Sequence, residues 1–423
     1  MERLLMWSRL QAEWASFERR QRWFVLFAML AGFLIAAEYG ITRPASNALF
    51  LTHFSAQWFP YIWLATVPLN LLTVALYNRF LPRYGPWKTF VAITAVVIGV
   101  NLAAGLVGAS FPWVLFFQSA WRDVYVLLMF KQLWSMIHAT IPSDRAKYLY
   151  GLIFAMGTLG SVTASLVPGF FAVRLGSEQL FYFTLPLYVF LALAYRQANQ
   201  RSPLNLDSYH QNPTPQQGKA SEGFSMIFRS RYLLAVLAIV VLMQVSVGLV
   251  EYQFNLSLER EILDKDLRTE YLGRLLSLTN ILSGLLQLVG SYLMIQWLGV
   301  RKSHIAVPLG LLATSAACLI SPSFGLLSFS FLLIKGVDYS LFGVIREMLY
   351  IPLQFDEKFR AKAVIDVFAY RTSKAVVSLF VLILQLGWGA QIIPAVRGLS
   401  LAIFCVWIGV VWISLQIPRT VKG

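Results

Sequence analysis

Twelve apolar stretches follow one another along the chain with short polar breaks, and this succession leaves almost no material for a soluble core. They lie near 23–42, 58–78, 89–108, 111–137, 147–172, 179–195, 232–254, 272–297, 304–321, 324–349, 361–388 and 393–416. A membrane helix needs about 20 mostly apolar residues, so each stretch is a candidate span. Charged residues make up 13% of the chain, about half the ~25% of a soluble domain. The expected fold class is an all-α integral membrane protein with about twelve transmembrane helices.

The charges are distributed unevenly. Arg79, Arg83 and Lys88; Arg145 and Lys147; Arg196, Arg201 and Lys219; Arg301 and Lys302; Lys358 and Arg360; and Arg419 and Lys422 fall in alternate loops. The intervening loops hold only isolated bases (Arg43, Arg174, Arg397), and the stretch from Glu259 to Glu270 more than balances its bases with acids. This positive-inside asymmetry predicts cytoplasmic N and C termini. The net charge of +15 is therefore expected to meet anionic lipid headgroups, with no nucleic acid as partner. Residues 1–22 are charged and amphipathic and lack a signal-peptide pattern; they are expected to lie on the cytoplasmic surface beside an uncleaved first span. The polar stretch at 197–230 is the one candidate linker. It divides the spans into an N-terminal half at 23–196 and a C-terminal half at 231–423.

The halves also correspond residue by residue. Glu38-Tyr39 recurs as Glu251-Tyr252, an offset of 251 − 38 = 213. Gly85 matches Gly299 (299 − 85 = 214), and Asp123 matches Asp338 (338 − 123 = 215). Lys131 with Arg346, and Arg145-Ala146-Lys147 with Arg360-Ala361-Lys362, keep that last offset. Two parallel six-helix pseudo-repeats joined by a cytoplasmic loop describe the major facilitator fold, in which the halves rock about a central site.

Charges inside a bilayer cost at least ~2.5–3.5 kcal/mol on insertion scales and are functional candidates for that reason. Glu38 and Glu251 come from the first helix of each half and are expected near the outer ends of their spans. They are read either as gate or substrate groups or, for Glu38, as a side chain snorkelling to water or pairing with Arg43. Asp123 adjoins Arg122. Lys335 and Asp338 are three residues apart on one helical face and can pair there. Lys131 and Arg346 suit snorkelling or a salt bridge between the halves. Arg371 and Lys374 put two cations on one face, with Asp366 offsetting part of the charge. An anionic ligand or a structural network would account for them, and arginine's planar fork suits phosphate or carboxylate. Gly157, Ser161, Ser165 and Gly169 form a small-residue ridge suited to close helix contact. Cys318, Cys405 and the four scattered histidines suggest neither disulfide nor metal. No phosphate-loop motif is present, and no nucleophile-base pair suggests an enzyme. No cofactor is expected.

One region carries a more specific likeness. Asp338-Tyr339-Ser340-Leu341-Phe342, followed by Arg346-Glu347-Met348-Leu349-Tyr350-Ile351-Pro352-Leu353, resembles span ten of the ATP/ADP translocase family of plastids and obligate intracellular bacteria. The segment from Lys358 to Val367 is similar to that family's "K-x-K-G-K-A-x-I-D-V", with Ala361 in place of the glycine before Lys362. Arg371-Thr372-Ser373-Lys374 falls where the family has "R-x-G-K-S-G-G", and Ala375 and Val376 follow. Leu249-Val250-Glu251 resembles its "L-V-E". The family's span-one "L-R-x-x-K-D" is represented here by Thr42-Arg43-Pro44-Ala45-Ser46-Asn47, without the lysine and the aspartate. Asp123 is only a neighbour of the family's span-four glutamate.

The resemblance implies a major-facilitator-like transporter that exchanges ATP for ADP or imports nucleotides with protons. Glu251 and Lys374, with Lys362, carry over as transport residues. The expected function is thus secondary transport of a nucleotide or related organic anion by a monomer in a bacterial inner membrane. Glu251, Arg371 and Lys374 would contact substrate, with Lys362, Lys335, Asp338 and Asp123 as further candidates and Glu38 and Arg43 as an opposing gate. The alternatives are a proton-coupled transporter of a lipophilic or other small molecule, and a non-transporting receptor or assembly protein on the same fold.

Overall fold

A computed structural model describes residues 17–141, 146–202, 220–350, 353, 364–365, 370–389 and 392–416. Described residues in all twelve predicted stretches lie in helix. The helices are α1 (Arg19–His53), α2 (Phe59–Val107), α3 (Trp113–Thr140), α4 (Ala146–Leu175), α5 (Gln179–Phe183), α6 (Leu185–Arg201) and α7 (Ala220–Arg229). They continue with α8 (Arg231–Glu261), α9 (Lys265–Leu285), α10 (Ser291–Ile320), α11 (Phe324–Asp338), α12 (Leu341–Leu349), α13 (Tyr370–Trp388) and α14 (Ile392–Gln416). A single 3₁₀ turn, Ala56–Trp58, precedes α2, and a π segment, Leu286–Gly290, joins α9 to α10.

α2 joins two predicted stretches and α10 joins the end of one to the next, and both helices break at a matched glycine. α2 turns at Gly85 (φ 77, ψ 170) and α10 at Gly299 (φ 72, ψ 165). A positive φ with extended ψ is accessible chiefly to glycine. The repeat seen in the sequence is thus repeated in backbone geometry. Span ten is also broken: α11 and α12 meet at 42° across Tyr339 and Ser340.

Several boundaries run past the apolar stretches. α1 extends to His53, with Pro44 inside it. Residues 41–51 are all buried, and packing compensates for the hydrogen bond that proline removes. Glu38 therefore sits near the middle of a 35-residue helix, which corrects its expected place at the span's outer end. In the predicted linker, α6 runs to Arg201 and α7 occupies Ala220–Arg229.

The chain divides into two compact units. Unit 1 comprises Met1–His53, Pro68–Thr214 and Asp264–Ser277; unit 2 comprises Phe54–Val67, Pro215–Leu263 and Leu278–Gly423. In unit 1, α1 packs on α4, α6 and α3. Its core joins Phe24, Ala28, Ala31 and Ile35 to Tyr125, Met129 and Leu133 of α3 and to Tyr188 and Tyr195 of α6. Phe90 and Tyr195 stack with centroids 3.8 Å apart. A Cβ at Gly160 would come within 3.0 Å of the Phe33 carbonyl oxygen, and Gly40 faces Ser161 and Ser165. The small-residue ridge of α4 therefore meets α1 at Gly157, Ser161 and Ser165, and α9 at Gly169, whose Cβ would lie 3.0 Å from Arg274 N. In unit 2, α8 packs on α14, α11 and α13, and Phe254 of α8 stacks on Phe331 of α11 at 4.3 Å.

Candidate functional site

Each unit holds a cluster of buried polar side chains around the glutamate of its first long helix. In unit 1, Glu38 is 1% exposed. Its Oε1 accepts from Thr42 Oγ1 (2.6 Å), one turn along α1, and from the hydroxyls of Tyr125 on α3 and Tyr188 on α6 (2.7 Å each). Neither snorkelling nor an Arg43 partner describes this geometry, because the cross-helix hydroxyls hold the carboxyl inside the bundle. Asn101 Nδ2 donates to Tyr188 (2.7 Å), Gln118 Nε2 to Asn101 (3.1 Å), and Ser46 Oγ to Gln118 (2.5 Å). The network thus runs through α1, α2, α3 and α6.

Nearby, Arg122 Nη2 pairs with Asp123 Oδ1 at 3.1 Å, while its Nη1 donates to Asn47 Oδ1 at 2.8 Å. The Arg43 guanidinium lies 5.6 Å from the centroid of the Tyr39 ring. Arg122 and Arg43 are both buried, and Arg122 Nη1 also reaches the Arg43 backbone carbonyl at 3.4 Å.

In unit 2, Glu251 Oε2 of α8 pairs with Lys335 Nζ of α11 at 2.8 Å. The ammonium also lies 5.9 Å from the centroid of Phe331. Asp338 accepts from Gln244 Nε2 of α8 at 2.7 Å. Lys335 and Asp338, one turn apart on α11, thus each reach a cross-helix partner on α8. α11 ends at Asp338, so the aspartate occupies the break rather than a continuous helical face.

Lys374 is half-buried on α13. This helix meets α8 where Val377 approaches Gly248, and again where Gln385 Nε2 donates to the Tyr252 hydroxyl at 2.9 Å. The two helices therefore run in the same direction. Lys374 lies one turn before the Gly248 contact and Glu251 one turn after it, roughly 9 Å apart along the axis at 1.5 Å per residue. Lys362, Asp366 and the side chain of Arg371 lie outside the described residues. Unit 2 thus brings together Glu251, Lys335 and Asp338, with Lys374 on the helix that packs beside the Glu251 segment of α8.

Tyr125, Tyr188, Asn101, Gln118 and Gln244 belong to these clusters and were not singled out from the sequence. The amides carried a signal, since Asn101, Gln118 and Gln244 interrupt apolar helices where an unsatisfied amide is costly. The tyrosines did not, because most membrane tyrosines are assigned to interfacial belts.

Comparison with known proteins agrees with this architecture. The family model described as TLC ATP/ADP transporter matches residues 109–329 and 323–416. The ADP,ATP carrier protein 1 of Rickettsia bellii is 25% identical over 295 residues, covering 60% of this chain and 57% of the carrier. The chain thus spans little more than half of that relative's length. The ADP,ATP carrier protein 1 of Chlamydia trachomatis is 23% identical over 468 residues, covering 91% of this chain and 86% of the carrier. Among solved structures, the nucleoside transporter NupG superposes with a TM-score of 0.65 at 10% identity, covering 93% of this chain and 98% of that one. The POT family transporter PepTSo gives 0.62 at 12% identity, covering 95% and 99%. At such identities the likeness is one of fold, that of the major facilitator transporters. The chain is a multi-pass integral membrane protein, and it belongs to the TLC ATP/ADP transporter family, a family of transporters and not of enzymes.

Proposed function

We propose that the chain moves a nucleotide or a related organic anion across its membrane by alternating access. The observation that carries this reading is the buried Glu251–Lys335 pair one turn before a broken helix. An ammonium held by a carboxylate is a cation that incoming phosphate can take over, and the pair re-forms when the anion leaves. Such a contact makes the charge of an empty site tolerable in an apolar bundle. The family's ADP,ATP carriers supply the substrate class.

Glu251, Lys335, Asp338 and Lys374 are assigned to substrate handling in the C-terminal half, together with Arg371 and Lys362. Glu38, Arg43 and Asp123 form the opposing set in the N-terminal half. The protein is assigned to a bacterial inner membrane, as a monomer with both termini in the cytoplasm. The test is uptake of labelled ATP, ADP and AMP into proteoliposomes, with and without internal nucleotide, beside a Glu251→Gln control. Uptake that requires internal nucleotide and fails in the control supports an exchanger. No uptake of any nucleotide by folded protein would remove the nucleotide and turn the reading to another organic anion, then to a role without transport.

A further inference from the structure

Glu38 holds chemistry that anion binding does not use. All three of its hydroxyl donors converge on Oε1. Its Oε2 is buried with no hydrogen-bond partner among the described residues. The donors behind Tyr188 are aligned one way: Ser46 gives to Gln118, Gln118 to Asn101, and Asn101 to Tyr188. Tyr188 accepts a hydrogen bond from Asn101 and donates its own hydroxyl hydrogen to the carboxyl.

The repeat sharpens the contrast. Glu251 occupies the matching position in unit 2 and has Lys335 as counter-ion. The span-four position matching Lys335 is 335 − 215 = 120, and it holds Ala120. The charged and titratable groups around Glu38 are Arg122, Asp123 and Tyr125 on α3, Tyr188 on α6, and Tyr39 and Arg43 on its own helix. α2 contributes the neutral Asn101, while α4 presents Ser161 and Ser165 beside Gly40. Arg122 is turned to Asp123 and Asn47, and Arg43 to the ring of Tyr39.

Two opposing demands meet on one carboxyl. Burial in an apolar bundle without a facing cation disfavours its charge. Three hydroxyl donors on one oxygen support that charge once it forms. A proton on Oε2 answers the first demand, and the hydroxyls make its loss feasible. We propose that Glu38 is a reversible proton-binding site, loaded on Oε2, whose loading and release are coupled to transport. The binding half stands on the geometry of unit 1 alone; the coupling half rests on the transport reading above. The loaded state is a neutral carboxylic acid, and release passes the proton to water.

Infrared spectroscopy of the purified chain in lipid nanodiscs, titrated in H₂O and D₂O, tests the binding half without any substrate. A protonated-carboxyl C=O band is expected that fades as pH rises, is missing in Glu38→Gln and survives in Glu251→Gln. Tyr125→Phe removes one donor to the charged form, so its band should persist to higher pH; this variant keeps the test open should Glu38→Gln fail to fold. Absence of a band assignable to Glu38, or a band constant over the whole pH range in which the protein stays folded, overturns the proposal. For the coupling half, an inward proton gradient should raise accumulation of labelled ADP in wild-type proteoliposomes, and this effect should be lost in Glu38→Gln. Wild type that exchanges nucleotide with no response to the gradient overturns coupling. A titrating band together with no nucleotide movement would leave the proton site standing and remove the nucleotide reading.

Discussion

Lys335 and Glu251 are 7% and 12% exposed at their side chains, so their attraction is neither screened nor shared with water to the extent usual at a surface. Removing one partner leaves the other as a buried, uncompensated charge, at a cost of about 3–5 kcal/mol, whereas removing both is often close to neutral. Lys335→Met should therefore lower the thermal stability of the purified protein sharply. Adding Glu251→Gln should restore most of it, although transport stays lost. Equal stability of the single and double variants would show that the two side chains are not coupled. The sequence revealed these residues as costly membrane charges but not how they pair. Spacing along a helix set Asp338 beside Lys335, while the contacts with Glu251 and Gln244 depend on how α8 packs on α11. Glu38 was legible for the same reason, and its partners Tyr125 and Tyr188 were hidden because they lie 87 and 150 residues away.

At the scale of elements, the apolar stretches and the small-residue ridge were legible because each is a local property of the chain. Their consequences differ from position to position. A Cβ at Gly160 would lie within 3.0 Å of backbone atoms of Phe33, whereas at Gly157 the nearest atom is the Gly32 carbonyl oxygen at 3.9 Å. Gly160→Ala should force α1 and α4 apart and cost about 1–3 kcal/mol, as overpacking does. Gly157→Ala should be neutral or stabilising by up to ~1 kcal/mol, through alanine's better helix propensity. Thermal unfolding of the two variants in one detergent checks the contrast. Equal effects would mean that α1 and α4 do not meet at the backbone distance described. The length of α1 was not legible: Arg43, Pro44, Ser46 and Asn47 read as the end of a span, and only their burial against neighbouring helices keeps that segment helical.

For the whole molecule, the duplicated glycine turns at Gly85 and Gly299 tie the internal repeat to topology. Six is an even number, so a six-span half begins and ends on one side of the membrane. A second parallel half then leaves both termini and the central linker on that same side. The gathering of bases in alternate loops of the sequence predicts that this side is the cytoplasm. In a variant with Cys318 and Cys405 replaced by serine, a membrane-impermeant thiol reagent added to intact cells should label Ser110→Cys, an exposed position between α2 and α3. Ser208→Cys in the linker should react only after the membrane is opened. Labelling of both positions from outside would mean that an even number of spans, instead of three, separates them, and so that one apolar stretch between them does not cross. Reversed labelling would keep the repeat intact and invert the molecule, placing the Glu38 and Glu251 clusters in the same helices but opening each to the opposite compartment.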